Sequence, residues 1–189
     1  MKDDNIFFDK NDLKFCGQNV IIGKTVRIRR PDLVSIGDNT IIDDFTYISC
    51  ALEIGSYCHI ASNVTISGGA NGKLTLKNMV GIGCGCSVHV ASSDYLFASM
   101  DLPSVPEQYR FGGVCDDIFL ESYVLLGSHT VVLPGVYLPE GFASGAHTVI
   151  SQKKYEDWTL YRGLDCVKVF KRPNKKFFKN LNSDKLNLI

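Results

Sequence analysis

The sequence predicts an all-β solenoid, a stack of parallel coils each built from three six-residue flats, and three observations carry that reading. Aliphatic residues recur at every sixth position: Ile22, Ile28; Ile36, Ile42, Ile48; Ile54, Ile60, Ile66; Leu76, Ile82, Val88; Leu120, Leu126, Val132; Leu138 and Ile150, with Ser144 as the polar exception. A second ladder of small or β-branched residues follows four positions later: Val20, Val26, Thr40, Thr46, Cys58, Val64, Ala70, Val80, Cys86, Val124, Thr130, Val136 and Thr148. Many residues of the first ladder are followed by glycine or alanine, as in Ile36-Gly37, Ile60-Ala61 and Leu126-Gly127. A helix would repeat at three and four, and a half-exposed strand at two. Two ladders of period six require coils in which residues 18 apart stack at the spacing of neighbouring strands, about 4.7–4.9 Å.

The same register locates each element in order. Regular coils run from about residue 20 to residue 66. The step from Ile54 to Leu76 is 22, so four extra residues enter around Gly68-Gly69-Ala70-Asn71-Gly72. The step from Leu76 to Leu120 is 44, so 26 extra residues leave the stack as a loop over about 92–117. Insertions in repeat folds map to loops, and loops of this length are usually functional. The ladder resumes at Leu120 and stops after Ile150; residues 154–172 then read as a cap and return. The expected organisation is a repeat domain over 1–172 and a basic tail over 173–189.

Composition narrows the class. Hydrophobic residues make up 45% and charged residues 21% of 189, ordinary globular values. No apolar run approaches the ~18 residues of a membrane span, and the amino terminus has neither the basic start nor the apolar stretch of a secretory signal. A cytoplasmic chain without a membrane span is expected. Seven cysteines, an odd number, argue against a disulfide framework. Net charge is zero, yet residues 169–189 carry six basic side chains against Asp184, leaving −5 on the rest. A net-acidic body with one basic end disfavours nucleic acid and fits a solvated tail or a small polyphosphorylated ligand.

The [Leu/Ile/Val]-Gly-x-x-x-x ladder resembles the hexapeptide-repeat acyltransferases. So do the stretch Gly-Ser-His-Thr-Val-Val-Leu-Pro-Gly from Gly127 to Gly135 and the closing Trp-Thr-Leu-Tyr-Arg-Gly-Leu-Asp-Cys-Val-Lys from Trp158 to Lys168. Within them the chain is similar to the galactoside, maltose and nodulation-factor O-acetyltransferases and the surface-polysaccharide sugar acetyltransferases, over about residues 10–172. The resemblance implies a left-handed parallel β-helix, an exception to the right-handed crossover rule. It also implies a homotrimer with active sites between subunits, acetyl-CoA along the later coils, and the inserted loop over a sugar acceptor. One departure stands out. The catalytic histidine of the galactoside enzymes lies at the base of the long loop, and the matching position here is Ser93, followed by Asp94.

Acyl transfer to a sugar hydroxyl needs a base, and imidazole, with a reference pKa of about 6.5, suits neutral pH. His59, stacked between Ile41 and Gly81, is the expected base: the glycine would leave open space beneath the imidazole, and the matching family position lines the acceptor site. Its other reading is a packing histidine. His89, at the exit into the loop and stacked under Ser49 and Ser67, is the second candidate; Asp94 could orient a histidine or bind a sugar hydroxyl. His129 and His147 face outward on the late coils, as subunit contacts or groove lining. Cys58 and Cys86 belong to the inward ladder, so direct attack by the acceptor on the thioester is expected over an acyl-cysteine intermediate. For acetyl-CoA the residues matching the family's contacts are Ser128, Gly145 and Ala146, with Ser151 nearby, and Lys168, Lys171 and Arg172 as phosphate partners.

The expected function is that of an acetyl-CoA-dependent transferase acting on a hydroxyl or amine of a nucleotide- or lipid-linked sugar in bacterial surface-polysaccharide synthesis, with no metal. Two rivals stay open. One is a non-catalytic β-helix serving as a scaffold or binding module. The other is a zinc enzyme of the γ-carbonic anhydrase type, for which the histidines lack the close spacing.

Overall fold

The computed structural model describes residues 5–69, 71–95, 101–102 and 104–173. Ala70 of the second ladder, part of the inserted loop, and Lys175, Lys176, Lys179 and Lys185 of the tail lie outside the described residues.

Short strands stack into three parallel sheets, one per flat. The first sheet runs Phe15–Cys16, Val34–Ile36, Ala51–Ile54, Lys73–Leu76, Ile118–Leu120 and Tyr137–Leu138. The second runs Ile21–Ile22, Ile41–Ile42, His59–Ile60, Gly81–Ile82, Leu125–Leu126 and Ala143–Ser144, then Thr159–Arg162 and, antiparallel to it, Val167–Lys171. The third is Arg27–Ile28, Tyr47–Ile48, Thr65–Ser67, Ser87–His89, Val131–Val132 and Val149–Ile150. These coils, about seven in all, form a left-handed parallel β-helix.

Both ladders point inward. Ile36, Ile42, Ile48, Ile60, Ile66, Val88, Leu120, Val132, Leu138 and Ile150 are fully buried, each stabilising the fold by about 1.5–3 kcal/mol. The second ladder is buried too, and its threonines stay satisfied: Thr40 Oγ1 donates to the Gly55 carbonyl at 3.1 Å and Thr46 Oγ1 to that of Ala61 at 3.1 Å. Ser144, the polar interruption, shares a 2.9 Å hydrogen bond with Thr130 Oγ1 and accepts one from the Gly127 amide at 3.0 Å. A buried hydroxyl at a core position is thus paired, as its burial requires. The glycines after the ladder residues answer to backbone packing between coils. A Cβ on Gly127 would lie 2.6 Å from the Gly145 carbonyl carbon, and one on Gly37 the same distance from that of Gly55.

The insertions fall where the register put them. Leu76 pairs with Ile54 and with Leu120, and the long loop springs from an antiparallel stem, Ala91–Ser92 against Val114–Cys115. A further insertion of two residues separates the first coil from the second: Ile22 pairs with Ile42, 20 residues on, and the 3₁₀ turn Pro31–Leu33 absorbs the excess. Each end of the core is closed. At the amino end Leu13 is buried below the 3₁₀ turn Lys10–Asp12, and Lys10 Nζ donates to the Val20 carbonyl at 2.6 Å. At the carboxyl end Phe142 stacks on Tyr161 at 5.1 Å and meets Tyr155 edge-on at 5.1 Å. Tyr155 donates its hydroxyl to the Ser151 carbonyl at 2.7 Å, and burial pushes its pKa up. Such capping is what a stack with open ends requires.

Candidate functional site

At the corner between the third and first sheets, on the early coils, the chain encloses a cavity of about 650 Å³, within the ~300–1,000 Å³ usual for small-molecule sites. Three segments far apart in sequence build it. Arg29 and Ser49 come from the first two coils, Gly68, Gly69 and Asn71 from the four-residue insertion, and Ala91–Ser93 with Asp101, Arg110 and Gly112–Cys115 from the long loop and its stem. The two insertions that the register isolates therefore meet around one space. Two Gly-Gly pairs face it, Gly68-Gly69 and Gly112-Gly113, all with φ between +76° and +151°. That region disfavours any residue with a Cβ, so these four positions are glycine for their backbone conformation.

His89 ends the third-sheet strand that leads directly into the cavity rim at Ala91. Its Nδ1 lies 2.8 Å from Ser67 Oγ, its register partner, and burial pushes its pKa below the ordinary histidine value. The ring is therefore neutral at neutral pH and able to accept a proton. Asp94, half-buried, follows the rim residue Ser93; its Oδ2 lies 2.8 Å from where a Cβ on Gly112 would be, so that glycine makes room for the carboxylate.

His59 is placed differently. It projects from the second sheet between Ile41 and Gly81, as the register gives, with its side chain 55% exposed and Nε2 2.8 Å from Asp43 Oδ2. Like His89 and Asp94, which adjoin the rim, it is not among the residues lining the cavity, and it stands on another sheet. The open space expected beside it on Gly81 is taken: a Cβ there would come within 2.9 Å of Leu125 Cδ2. The same face exposes Ile21 and Ile41 on one side of His59 and Leu125 on the other, beyond Gly81.

On the late coils, Ser128 Oγ lies 3.3 Å from Cys84 Sγ, half-buried, and Ala146 is exposed next to half-buried Gly145. A Cβ on Gly145 would lie 3.3 Å from Arg162 Cβ, a tight contact with the cap strand. Ser151 uses its carbonyl to hold Tyr155. Lys168 Nζ bonds both carboxylate oxygens of Glu156 at 2.7 and 2.8 Å, Lys171 Nζ pairs with Asp157 Oδ1 at 2.8 Å, and Arg172 Nη1 donates to the Gly141 carbonyl at 2.6 Å. The lysine pairs are exposed and worth at most about 1 kcal/mol, so an anion could exchange for either carboxylate. Arg172 is half-buried and committed to the cap. His129 and His147 stack with ring centroids 4.9 Å apart, because both occupy the same left-handed corner one coil apart, and Gly85 before them has no Cβ to collide with the His129 ring. Cys50, Cys58 and Cys86 are buried, and burial raises their thiol pKa, that of Cys50 to about 11. A thiol held protonated is a poor nucleophile. Among the described residues no group of three His, Cys, Asp or Glu side chains is disposed to hold a metal.

Sequence reasoning located the loop and Asp94 but passed over Arg29, Asn71, Asp101 and Arg110. No ladder marks them; the one available signal was that both insertions leave the stack at the same corner.

Residues 34–68 match the family described as bacterial transferase hexapeptide (six repeats). The chain is 31% identical over 177 residues to a dTDP-4-amino-4,6-dideoxy-D-glucose acyltransferase of Escherichia coli, covering 91% of this chain and 89% of that one. It superimposes on AntD, an N-acyltransferase from Bacillus cereus solved with dTDP and 3-hydroxybutyryl-CoA, with a TM-score of 0.83 and 30% identity over 93% of this chain and 94% of AntD. Other AntD structures carry one aspartate replaced by asparagine or alanine, in complex with dTDP and coenzyme A. The hexapeptide-repeat acetyltransferase VCA0836 of Vibrio cholerae, 18% identical with a TM-score of 0.59 over 87% of this chain and 77% of that one, shares the fold. Ladders, coil register and identity over nine-tenths of the length agree: the chain belongs to the hexapeptide-repeat acyltransferases.

Proposed function

We propose that the protein transfers an acyl group from a coenzyme A thioester to the amino group of a dTDP-linked 4-amino-4,6-dideoxy sugar. The observation that carries this reading is the joining of two findings. The E. coli relative that spans nine-tenths of the chain is named for that acceptor, and the chain's own insertions enclose a cavity of suitable size with cationic walls. Of the two chemistries the sequence left open, acylation of an amine is the one supported.

The reaction places the neutral amine against the thioester carbonyl. A C–N bond forms as the C–S bond breaks, the amine gives up one proton, and the sulfur leaves to take up a proton as the free thiol. Asp94 takes the amine proton. It stands at the loop base one residue after Ser93, the position that matches the galactoside enzymes' histidine, and an aspartate is the residue replaced in two AntD complexes. His89, kept neutral by burial and oriented by Ser67, holds the acceptor from the adjoining strand. His59 reaches a cavity only across a subunit boundary. We place that boundary on the face that carries His59 together with the apolar Ile21, Ile41 and Leu125, which are 59%, 36% and 44% exposed and would be covered in a homotrimer. The thioester lies along the late coils past Ser128, Gly145 and Ala146, with its phosphates toward Ser151, Lys168, Lys171 and the Arg172 end of the cap. No helix among the described residues is long and apolar enough to cross a membrane. A cytoplasmic enzyme whose product feeds a glycosyltransferase of surface-polysaccharide assembly fits this acceptor.

The test is release of free thiol from acetyl-CoA with dTDP-4-amino-4,6-dideoxyglucose, against the same nucleotide sugar bearing a 4-hydroxyl. Turnover is expected with the amine alone, and Asp94→Asn should lower kcat by about 10²-fold or more, within the range of positioned base catalysis. Thiol release with the hydroxyl acceptor alone would overturn the reading. A larger loss in His59→Ala than in Asp94→Asn would move the base to the second sheet of a neighbouring subunit.

A further inference from the structure

We infer that Arg29 and Arg110 form a two-armed clamp on the diphosphate of the nucleotide-linked acceptor; the inference rests on the acceptor class proposed above. Both guanidinium groups line the cavity, where Asp101 supplies the only carboxylate among the lining residues, so the charged lining is net cationic. Among the described residues neither Arg29 nor Arg110 uses its side chain in a hydrogen bond or ion pair. Their neighbours in sequence or type are engaged: Arg30 pairs with Asp32 at 3.4 Å, Arg27 lies over the Phe7 ring at 5.5 Å, and Arg172 serves the cap. Two open guanidinium forks facing one space suit a ligand with two anionic phosphates, because each fork can take two phosphate oxygens at once. Gly69, beside which a Cβ would meet nothing within 4 Å, leaves main chain open on the wall where such a ligand can lie close, whereas Gly68, Gly112 and Gly113 back onto Val90, Asp94 and Asp101.

The two arms come from different parts of the molecule. Arg29 is fixed to the first coil, its amide bonded to the Ile48 carbonyl at 2.9 Å. Arg110 closes the 3₁₀ turn Glu107–Tyr109 inside the loop, its amide bonded to the Glu107 carbonyl at 3.0 Å. A diphosphate held by both ties the loop to the coil, so the nucleotide portion of the acceptor organises the loop that covers its sugar. The structure thereby favours a nucleotide-linked sugar over a free one.

Calorimetric titration of dTDP alone into the full chain tests the clamp. Arg29→Gln and Arg110→Gln should each weaken dTDP binding about 10- to 100-fold, the range for losing charge-assisted hydrogen bonds. Coenzyme A binding should be unchanged, and Arg30→Gln, outside the cavity, should bind dTDP as the unaltered protein does. Arg29→Lys, which keeps the charge and loses the fork, should fall between. Both arginines are exposed and outside the core, so the variants should melt with the unaltered protein. dTDP affinity preserved within twofold in both glutamine variants would overturn the clamp and leave the proposed acceptor standing. An unaltered protein that binds no dTDP would overturn the acceptor class and the clamp together.

Discussion

His89, proposed above to hold the acceptor, is fixed by its own strand. Ser67 Oγ holds its Nδ1 at 2.8 Å, and partial burial lowers its pKa because a charged imidazole there would lose hydration. The folded chain thus binds a proton at this site less readily than the unfolded chain. The resulting stability is fully present above the unfolded value of about 6.5 and is lost as pH falls from there toward the lower folded value. Asp44 and Glu156, whose pKa values are also depressed by hydrogen bonds, titrate lower on the scale. Urea denaturation at pH 7.5 and pH 5.5 should therefore show a smaller acid loss for His89→Asn than for the unaltered protein. Equal losses in both would mean that His89 titrates alike in the folded and unfolded chain. Residue-scale roles were the least legible part of the sequence. The loop base at Ser93-Asp94 could be read from register, but Asp43 beside His59 is 16 residues away, and Leu125 filling the space at Gly81 is 44 away. Such contacts depend on how outward side chains lean, which no inward ladder records.

At the scale of elements the ladder was informative because its positions face the core, where burial constrains residue type at every sixth place. It fixed all three sheets and both large insertions. It passed over the two-residue insertion before Val34, since the chain there re-enters in phase with its aliphatic residues, and it did not foresee that His129 and His147 share a corner and stack. Corner positions lie between the ladders and tolerate many residues, as Phe45, Tyr57, Met79 and Tyr123 in left-handed conformation show. The inserted loop contributes no buried residue among those described from 93 to 114. Its junction does bond the coils, through the Asp116 amide to the Val90 carbonyl at 2.9 Å and Asp117 Oδ1 to the Lys73 amide at 2.8 Å. Replacing residues 93–114 with a short Gly-Ser bridge, and keeping that junction, should leave the melting temperature and coenzyme A affinity nearly unchanged while abolishing transfer. Loss of the folded state in thermal melts would assign the loop to the core architecture.

As a whole the molecule divides its labour along the axis of the solenoid. In the proposed function the early coils and the two insertions, which line the cavity, take the acceptor and the late coils and cap take coenzyme A, while the second sheet leaves Ile21, Ile41 and Leu125 exposed. Sedimentation equilibrium at micromolar concentration should give three times the 20.9 kDa chain mass; a stable monomer would remove the shared boundary and confine the chemistry to Asp94 and His89 of one chain. The central claim is the bond that is made. It is tested most directly by incubating the protein with acetyl-CoA and dTDP-4-amino-4,6-dideoxyglucose labelled with ¹⁵N at the amine, then recording the proton NMR spectrum of the product. A new amide proton split by the ¹⁵N nucleus is expected, appearing in step with free coenzyme A thiol. An acetyl ester on a sugar hydroxyl, or no product while the folded protein binds both substrates, would contradict it.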